Sequence, residues 1–385
     1  MKQIYLDHNA TAPVRKEVMD VMMPYFTDEY GNASSVHSKG QAAYKAVESS
    51  REIIANAIGT ESVDIVFTSG GTEADNFAIK GVALANLQKG RHIITTEIEH
   101  LAVLEPCRFI EEELGFEVTR IGVDKYGVVD LNKLEGSIRK DTILISVMFA
   151  NNEVGTIQPI KEIAKIAKKN GIYLHVDAVQ ALGKELINVD ELGIDLCSFS
   201  AHKLHGPKGI GALFIRKGVK ITPFQNGGHH ERKRRAGTLN VPGIVGFGKA
   251  VEIATLDLQK TDKHLKKLTK RFFNGLQKEL KELYLNGHPE NRLSNTLNIS
   301  FRYIEGESLI LNFDLKGIYA STGSACTSGS LEPSHVLTAM KVPPDISQGS
   351  IRFSFGYENT EKDVDYCLAE IPPIVKRLRE MSPLC

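Results

Sequence analysis

Several protein classes are excluded by what this chain lacks. No stretch approaches the ~18 consecutive apolar residues of a membrane-spanning helix. The opening residues, Met1-Lys2-Gln3-Ile4-Tyr5-Leu6-Asp7-His8, contain no apolar core long enough for a signal peptide. The five cysteines are Cys107, Cys197, Cys326, Cys367 and Cys385, and no two lie within four residues, so paired zinc-type Cys-x-x-Cys ligands are absent. Five thiols cannot all pair internally, and a reducing cytoplasm is the expected setting. Neither sign of charge dominates, with 47 Lys plus Arg against 47 Asp plus Glu. That balance gives no global field to favour nucleic acid or an anionic membrane. The Gly-x-Gly-x-x-Gly and Walker patterns are missing, which withdraws support from nicotinamide enzymes and P-loop nucleotide hydrolases. His229-His230-Glu231 has no companion ligands spaced to complete a metal site, so no metal is expected. No internal repeat or low-complexity tract is evident.

What is present reads as a two-layered pattern. With 385 residues the chain exceeds the ~250–300 at which single cores stop growing, so two domains are expected. Between about residues 50 and 250, short β-rich runs alternate with helical patterns. The runs are 64–69, 91–96, 117–122, 142–149, 171–176, 196–200 and 211–215. Between them lie amphipathic stretches such as Ala74, Phe77, Ala78, Gly81, Val82 and Ala85, which share one 3.6-period face. This alternation predicts a mostly parallel sheet covered by helices. After about 255 the texture changes. Leu265, Leu268, Phe272, Leu276, Leu280 and Leu283 predict the apolar stripe of one long helix with a solvated, lysine-rich opposite face. Strands at 294–301 and 349–355 then bracket further helical segments, as in a smaller α+β domain. The expected division is 13–255 for the large domain, and 1–12 with 256–385 for the small one.

The chemistry is concentrated at strand ends. Asp177 ends the run Ile172-Tyr173-Leu174-His175-Val176, and Lys203 follows Ser198-Phe199-Ser200-Ala201-His202. A lysine and an acid so placed suit pyridoxal phosphate: the amine holds the aldehyde as a Schiff base, and the carboxylate keeps the pyridine nitrogen protonated. Lys208, in Gly206-Pro207-Lys208-Gly209, is the competing amine. Phe67-Thr68-Ser69-Gly70-Gly71-Thr72-Glu73 follows a strand and opens a helix, where free N–H groups and the helix dipole favour a phosphate; a plain helix start capped by Thr72 is the alternative. Ser200 and His202 can add donors to a phosphate. His100 can stack on a ring and move protons, or serve structure alone. Arg352 can clamp a carboxylate in two-pronged fashion, or sit in a structural ion pair. Cys326 differs from Cys107, Cys197 and Cys367, which fall in apolar helical or strand patterns. It lies in Ser321-Thr322-Gly323-Ser324-Ala325-Cys326-Thr327-Ser328-Gly329-Ser330, where a thiol would be accessible as a nucleophile.

These residues resemble the cysteine desulfurases, pyridoxal phosphate enzymes of aminotransferase fold type I, and specifically their NifS/IscS-like branch. The likeness runs nearly end to end. It includes Tyr5-Leu6-Asp7-His8-Asn9-Ala10-Thr11, Gly31-Asn32-Ala33-Ser34-Ser35, Ala150-Asn151-Asn152-Glu153, Ser382-Pro383-Leu384 and, most specifically, Ser200-Ala201-His202-Lys203 and Gly323-Ser324-Ala325-Cys326-Thr327-Ser328. The resemblance implies an α/β fold with a mostly parallel, helix-covered sheet and a smaller α+β domain carrying the Cys326 loop. It implies that Lys203 forms the Schiff base and later exchanges protons, and that Asp177 pairs with the pyridine nitrogen. Asn152 and Gln180 would lie along the ring and its phenolic oxygen, with His100 stacked above it. Gly71, Thr72, Ser200 and His202 would hold the phosphate, with Thr238 reaching it from the second subunit of a homodimer. Arg352, helped by Asn32 and Asn152, would take the substrate carboxylate, and Cys326 would accept the sulfur. One stretch departs from the family pattern: His229 stands where a third glycine is usual, and the residues before Gly237-Thr238 are unusually basic.

The implied reaction converts L-cysteine to L-alanine with sulfur transferred to Cys326, for donation to an acceptor such as an iron–sulfur scaffold. The same cofactor site could serve an aminotransferase or a selenocysteine lyase, although an aminotransferase gives Cys326 no task. A non-catalytic scaffold that docks sulfur acceptors is the reading from another class, and the presence of Lys203, Asp177 and Cys326 opposes it.

Overall fold

A computed structural model describes residues 2–322 and 334–382. Its twelve strands among those residues are β1 Ile4–Tyr5, β2 Ile65–Thr68, β3 His92–Thr96, β4 Glu117–Ile121, β5 Thr142–Met148, β6 Tyr173–Asp177, β7 Leu196–Ser200, β8 Gly211–Ile215, β9 Leu283–Asn286, β10 Thr296–Phe301, β11 Ile318–Tyr319 and β12 Ser350–Ser354. Seven of them form the main sheet in the order β2-β8-β7-β6-β5-β3-β4. Every pair from β7 through to β4 is parallel, and β8 runs antiparallel to both β7 and β2. The strand order reverses between β3 and β5, so the carboxyl ends of β5, β6 and β7 open beside a topological switch point, where α/β sheets bind ligands.

Helices cover both sheet faces, so β2, β5, β7 and β8 are buried along their whole length, while the edge strand β4 carries Glu117, Thr119 and Arg120 and buries only Ile121. Alternate residues face opposite ways. Ile145, Val147, Leu174, Val176, Cys197 and Phe199 point into one core. Leu144 and Leu196 point into the other, with Phe77, Ala78 and Val82 of the helix Gly71–Ala85. The sheet depends on one close approach. Gly211 sits between Thr68 and Ser200, and a Cβ there would lie 2.4 Å from the Phe199 carbonyl oxygen and 2.7 Å from Gly70 C.

A separate core lies under the antiparallel sheet β12-β10-β9. The helices Leu258–Glu279 and Glu361–Glu380 cover it, and Phe272 meets Phe353 edge-on at a centroid distance of 4.9 Å. Ile4 and Leu6 belong to this core, because β1 pairs with β11. The apolar stripe from Leu265 to Leu276 is buried as the sequence predicts. Its last member is not helical: the helix ends at Glu279, Leu280 turns extended, and Leu283 begins β9. A leucine repeat continues through that change of period because both elements bury the same side against one core.

Gly211→Ala should destabilise the protein by about 1–3 kcal/mol, the usual scale for overpacking, because backbone rather than a flexible side chain must move. Urea unfolding against the parent chain measures this; an unchanged midpoint would refute the argument.

Candidate active site

A cavity of about 220 Å³ opens at the carboxyl ends of β5, β6 and β7. It is lined by ten of the residues singled out above: Gly71, Thr72, His100, Asn152, Asp177, Gln180, Ser200, His202, Lys203 and Arg352. Lys203 lines it, whereas Lys208 is exposed and lines no part of it. Asn32 is exposed outside the cavity, its carboxamide oxygen accepting the Ser34 N–H at 2.9 Å. Thr238 is exposed as well and does not line the cavity of its own chain. Cys326 and Cys385 lie outside the described residues. The residues that flank 323–333 are fixed near the cavity. Ser321 and Arg352 exchange backbone hydrogen bonds of 2.7 and 3.2 Å, and His335 Nε2 lies 2.9 Å from the carbonyl of Glu99, next to His100.

The amine of Lys203 donates to the carbonyls of Asn9 and Ala10, both at 2.8 Å. Gln180 Nε2 donates to the same Asn9 carbonyl at 3.0 Å. Asp177, at the end of β6, accepts the Val179 N–H at 2.9 Å through Oδ1. Burial raises its pKa, against the pull of that N–H and of Lys203. Beneath it, Asp75 on the helix Gly71–Ala85 is almost wholly buried, and its pKa is raised by burial and by the Asp177 charge. Asp75 Oδ1 lies 3.5 Å from His175 Nε2. His175 also contacts Ser146 Oγ at 2.8 Å and Ser198 Oγ at 2.9 Å, which gives three neighbouring strands a polar ladder. Burial keeps His175 neutral, with its pKa pulled down to about 3.

At the other wall the helix Gly71–Ala85 points its N-terminus into the cavity. Gly70 caps it without a side chain at φ 155°, a conformation few residues other than glycine adopt. A Cβ on Gly71 would lie 2.6 Å from Val179 Cγ2. The first N–H groups of this helix have no intrahelical acceptor. His202, with its pKa lowered to about 4 by burial and by Lys203 and Lys208, contacts Thr11 Oγ1 at 3.1 Å. His100 caps the helix Leu101–Leu114: its Nδ1 accepts the Ala102 N–H at 3.0 Å, so the neutral ring carries its proton on Nε2. Burial, then Lys203, His335 and Arg352, lower its pKa to about 4. Arg352 is buried, with Nη2 on Asp7 at 2.8 Å and Nη1 on the Asn152 carbonyl at 3.2 Å. Its Nε has no hydrogen-bond partner among the described residues.

The unusual basic stretch is anchored from within. Glu231 is buried in a two-pronged pair with Arg51, both contacts 2.7 Å, and also accepts the Phe67 N–H at 2.7 Å. That pairing holds Glu231, Arg232 and Lys233 at φ 46°, 54° and 67°, strained values for side-chain-bearing residues. Arg235 in turn grips Glu73, on the first turn of the helix Gly71–Ala85, at 2.8 and 3.1 Å. Sequence reasoning missed this role for Glu231, and also missed Asn9, Asp75, Glu99 and Lys184. The periodicities held a signal for one of them: Gly71 and Asp75 are four apart on one helix, hence on one face.

The lysine and acid at the ends of parallel strands define a class, and comparison with known proteins agrees. The family model described as aminotransferase class-V matches residues 4–367. Cysteine desulfurase IscS of Methanosarcina thermophila is 58% identical, covering 100% of this chain and 94% of that one. A solved NifS-like protein aligns at TM-score 0.93 with 42% identity, covering 98% of this chain and 100% of its own. The structure of SspA in complex with cysteine aligns at TM-score 0.81 with 35% identity, covering 93% of this chain and 100% of its own. The chain belongs to the cysteine desulfurases of the class-V aminotransferase family. Members of this class are pyridoxal phosphate enzymes, and the residues here fit that cofactor. A helix N-terminus whose first residue is a glycine packed against Val179, a buried carboxylate and an amine line one space.

Glu99 yields a test of the burial argument. It is fully buried, accepts from Thr96 Oγ1 at 2.6 Å and Met148 N at 3.0 Å, and has its pKa raised to about 8, chiefly by burial. An acid whose folded pKa lies above its unfolded value binds its proton more tightly in the fold. Its contribution is therefore lost as pH rises from about 4.5 through 8. Glu99→Gln should gain stability relative to the parent chain as pH rises across that window. Urea midpoints at pH 5, 7 and 9 read this, and a difference that does not change with pH would contradict it.

Proposed function

We propose that this chain takes sulfur from L-cysteine, leaving L-alanine, and holds it as a persulfide on Cys326 for delivery to an acceptor protein. The bond between the substrate's β-carbon and its sulfur breaks, a sulfur–sulfur bond forms, and a proton replaces sulfur on the carbon. What supports the reading most is that Lys203, Asp177 and Arg352 line one cavity, and that the residues flanking the Cys326 segment are tied beside it. The cysteine-bound relative, SspA, supports the same substrate.

Pyridoxal phosphate, when bound, supplies an aldehyde for the substrate amine and a protonated ring that draws electrons from the substrate carbon. The protein's own groups would do the rest. Free N–H groups at Gly71 and Thr72, with Ser200 and His202, would hold the phosphate. Thr238, exposed on its own subunit, would serve the phosphate of a partner subunit in a homodimer. Asp177 would keep a proton on the ring nitrogen; a dry carboxylate meeting a cation regains the charge that burial opposes. Lys203 Nζ would take and return protons at the substrate carbon, and His100, neutral near pH 7, would donate from Nε2. Gln180 and Asn152 would flank the ring. Arg352 would clamp the substrate carboxylate with the help of Asn152 and Asn32, exchanging part of its hold on Asp7. Cys326, as thiolate, would attack the substrate sulfur. A nucleophile within a Gly/Ser-rich stretch suits a thiol that must both approach in line and hand sulfur on.

The acceptor we propose is an iron–sulfur scaffold protein and the setting the cytoplasm. Among the described residues no helix is long and apolar enough to cross a membrane. We also read the chain as two domains, 13–255 and 1–12 with 256–385, since the second apolar core draws on Ile4 and Leu6 as well as residues after 256.

Cys326→Ser should keep the yellow bound cofactor and bind cysteine but accumulate no persulfide. Incubation with cysteine alone, followed by mass mapping of a 32-dalton addition (about one sulfur atom), reads this out. Full alanine production by the variant would remove Cys326 from the reaction.

A further inference from the structure

Lys184 has no part in the roles assigned above, yet it is tied to the residues that have them. It lines a second, smaller cavity behind Lys203 and donates to Gln180 Oε1 at 2.9 Å and to Asn9 Oδ1 at 3.4 Å. No carboxylate lies within ion-pair distance of it among the described residues. Its pKa is lowered to about 7 by burial and then by Lys203 and Arg352.

The position matters because Gln180 carries an amide with two chemically distinct ends. A side-chain ammonium or amine can donate, and a backbone carbonyl can only accept. With Lys184 at one end and the Asn9 carbonyl at the other, only one orientation satisfies both: Oε1 towards Lys184, Nε2 towards Asn9. The reverse would set the amide carbonyl against the Asn9 carbonyl whatever the state of Lys184, and N–H against N–H when Lys184 is an ammonium. Nε2 carries two hydrogens, and the Asn9 carbonyl takes one. Gln180 lines the main cavity, and no second acceptor for Nε2 is found among the described residues, which leaves the other hydrogen for a ligand there.

We propose that Lys184 is a positioning residue: its bond to Gln180 Oε1 fixes the amide so that Nε2 faces the cavity as donor to an anionic ring oxygen of the cofactor. This rests on the cofactor reading above. An oxygen acceptor beside the ring would be repelled by the flipped amide, so the amide's orientation decides whether Gln180 helps or opposes binding. Lys184 donates in either protonation state, which separates this role from a simple effect of its charge.

The test is a double-mutant cycle on the cofactor-loaded protein, reading the pH midpoint at which its absorption band shifts. A donor on the ring oxygen weakens that oxygen's hold on the neighbouring imine proton, so losing the donor raises the midpoint. Lys184→Met should raise it by about half a unit or more and weaken cofactor binding several-fold in equilibrium dialysis. In a Gln180→Ala background the same change should add less than about 0.2 unit, because the residue it acts through is gone. An equal shift in both backgrounds would mean a long-range charge effect and overturn the proposal, as would no shift at all. Lys184→Leu, which likewise removes the donor and should give the same shifts, goes through the same cycle, so a poorly folded Met variant leaves the comparison intact. A parent chain that never takes up the cofactor would instead overturn the functional reading, which keeps the two failures distinct.

Discussion

Asn9 is the point on which the two parts of this molecule and its cavity meet. It is almost wholly buried, and each of its polar groups is bonded. The N–H donates to Ser354 Oγ at 2.9 Å, and the carbonyl receives Lys203 and Gln180. The carboxamide donates to the Asn152 carbonyl at 3.1 Å and to Thr296 Oγ1 at 2.8 Å, and accepts from Asn295 at 3.0 Å. Burying so polar a residue is tolerable only when every group is satisfied, and satisfying them requires β10, β12, the loop after β5 and Lys203 to stand in one arrangement. The amine and the small sheet are thereby fixed by one side chain and its own backbone.

Around that point, apart from the Arg352–Asp7 pair, burial governs the ionisable groups more than charge pairing does. His100, His175 and His202 are held neutral, Asp75, Asp177 and Glu99 are raised, and Lys184 is lowered, with burial the first cause in each case. Groups whose charged forms burial opposes favour a ligand that brings the complementary charges with it. In the proposed reading, a cationic ring nitrogen paired with Asp177 and an anionic phosphate at the N-terminus of the helix Gly71–Ala85 would meet that condition. The Ser146–His175–Ser198 ladder gives the floor hydrogen bonds without adding charge.

The strands were largely legible, because a fully covered parallel sheet demands short continuous apolar runs, and those runs stand out between polar helical stretches. The period change at Leu280 was not legible, since leucines at helical spacing lead directly into a strand of the same core. Lys203 and Asp177 could be picked out as a pair by their chemistry. Glu231 could not: beside two histidines it suggests a ligand, while in the fold its carboxylate is occupied by Arg51, 180 positions earlier.

The sequence by itself determined the alternation of elements, the residue types at strand ends and the family, since these follow from local periodicity and from motifs that survive as short strings. Tertiary structure alone decided what holds the amine of Lys203 and which way Gln180 points. Those outcomes depend on partners such as Asn9, 194 residues from Lys203, whose contact costs loop closure and leaves no local trace in composition or spacing.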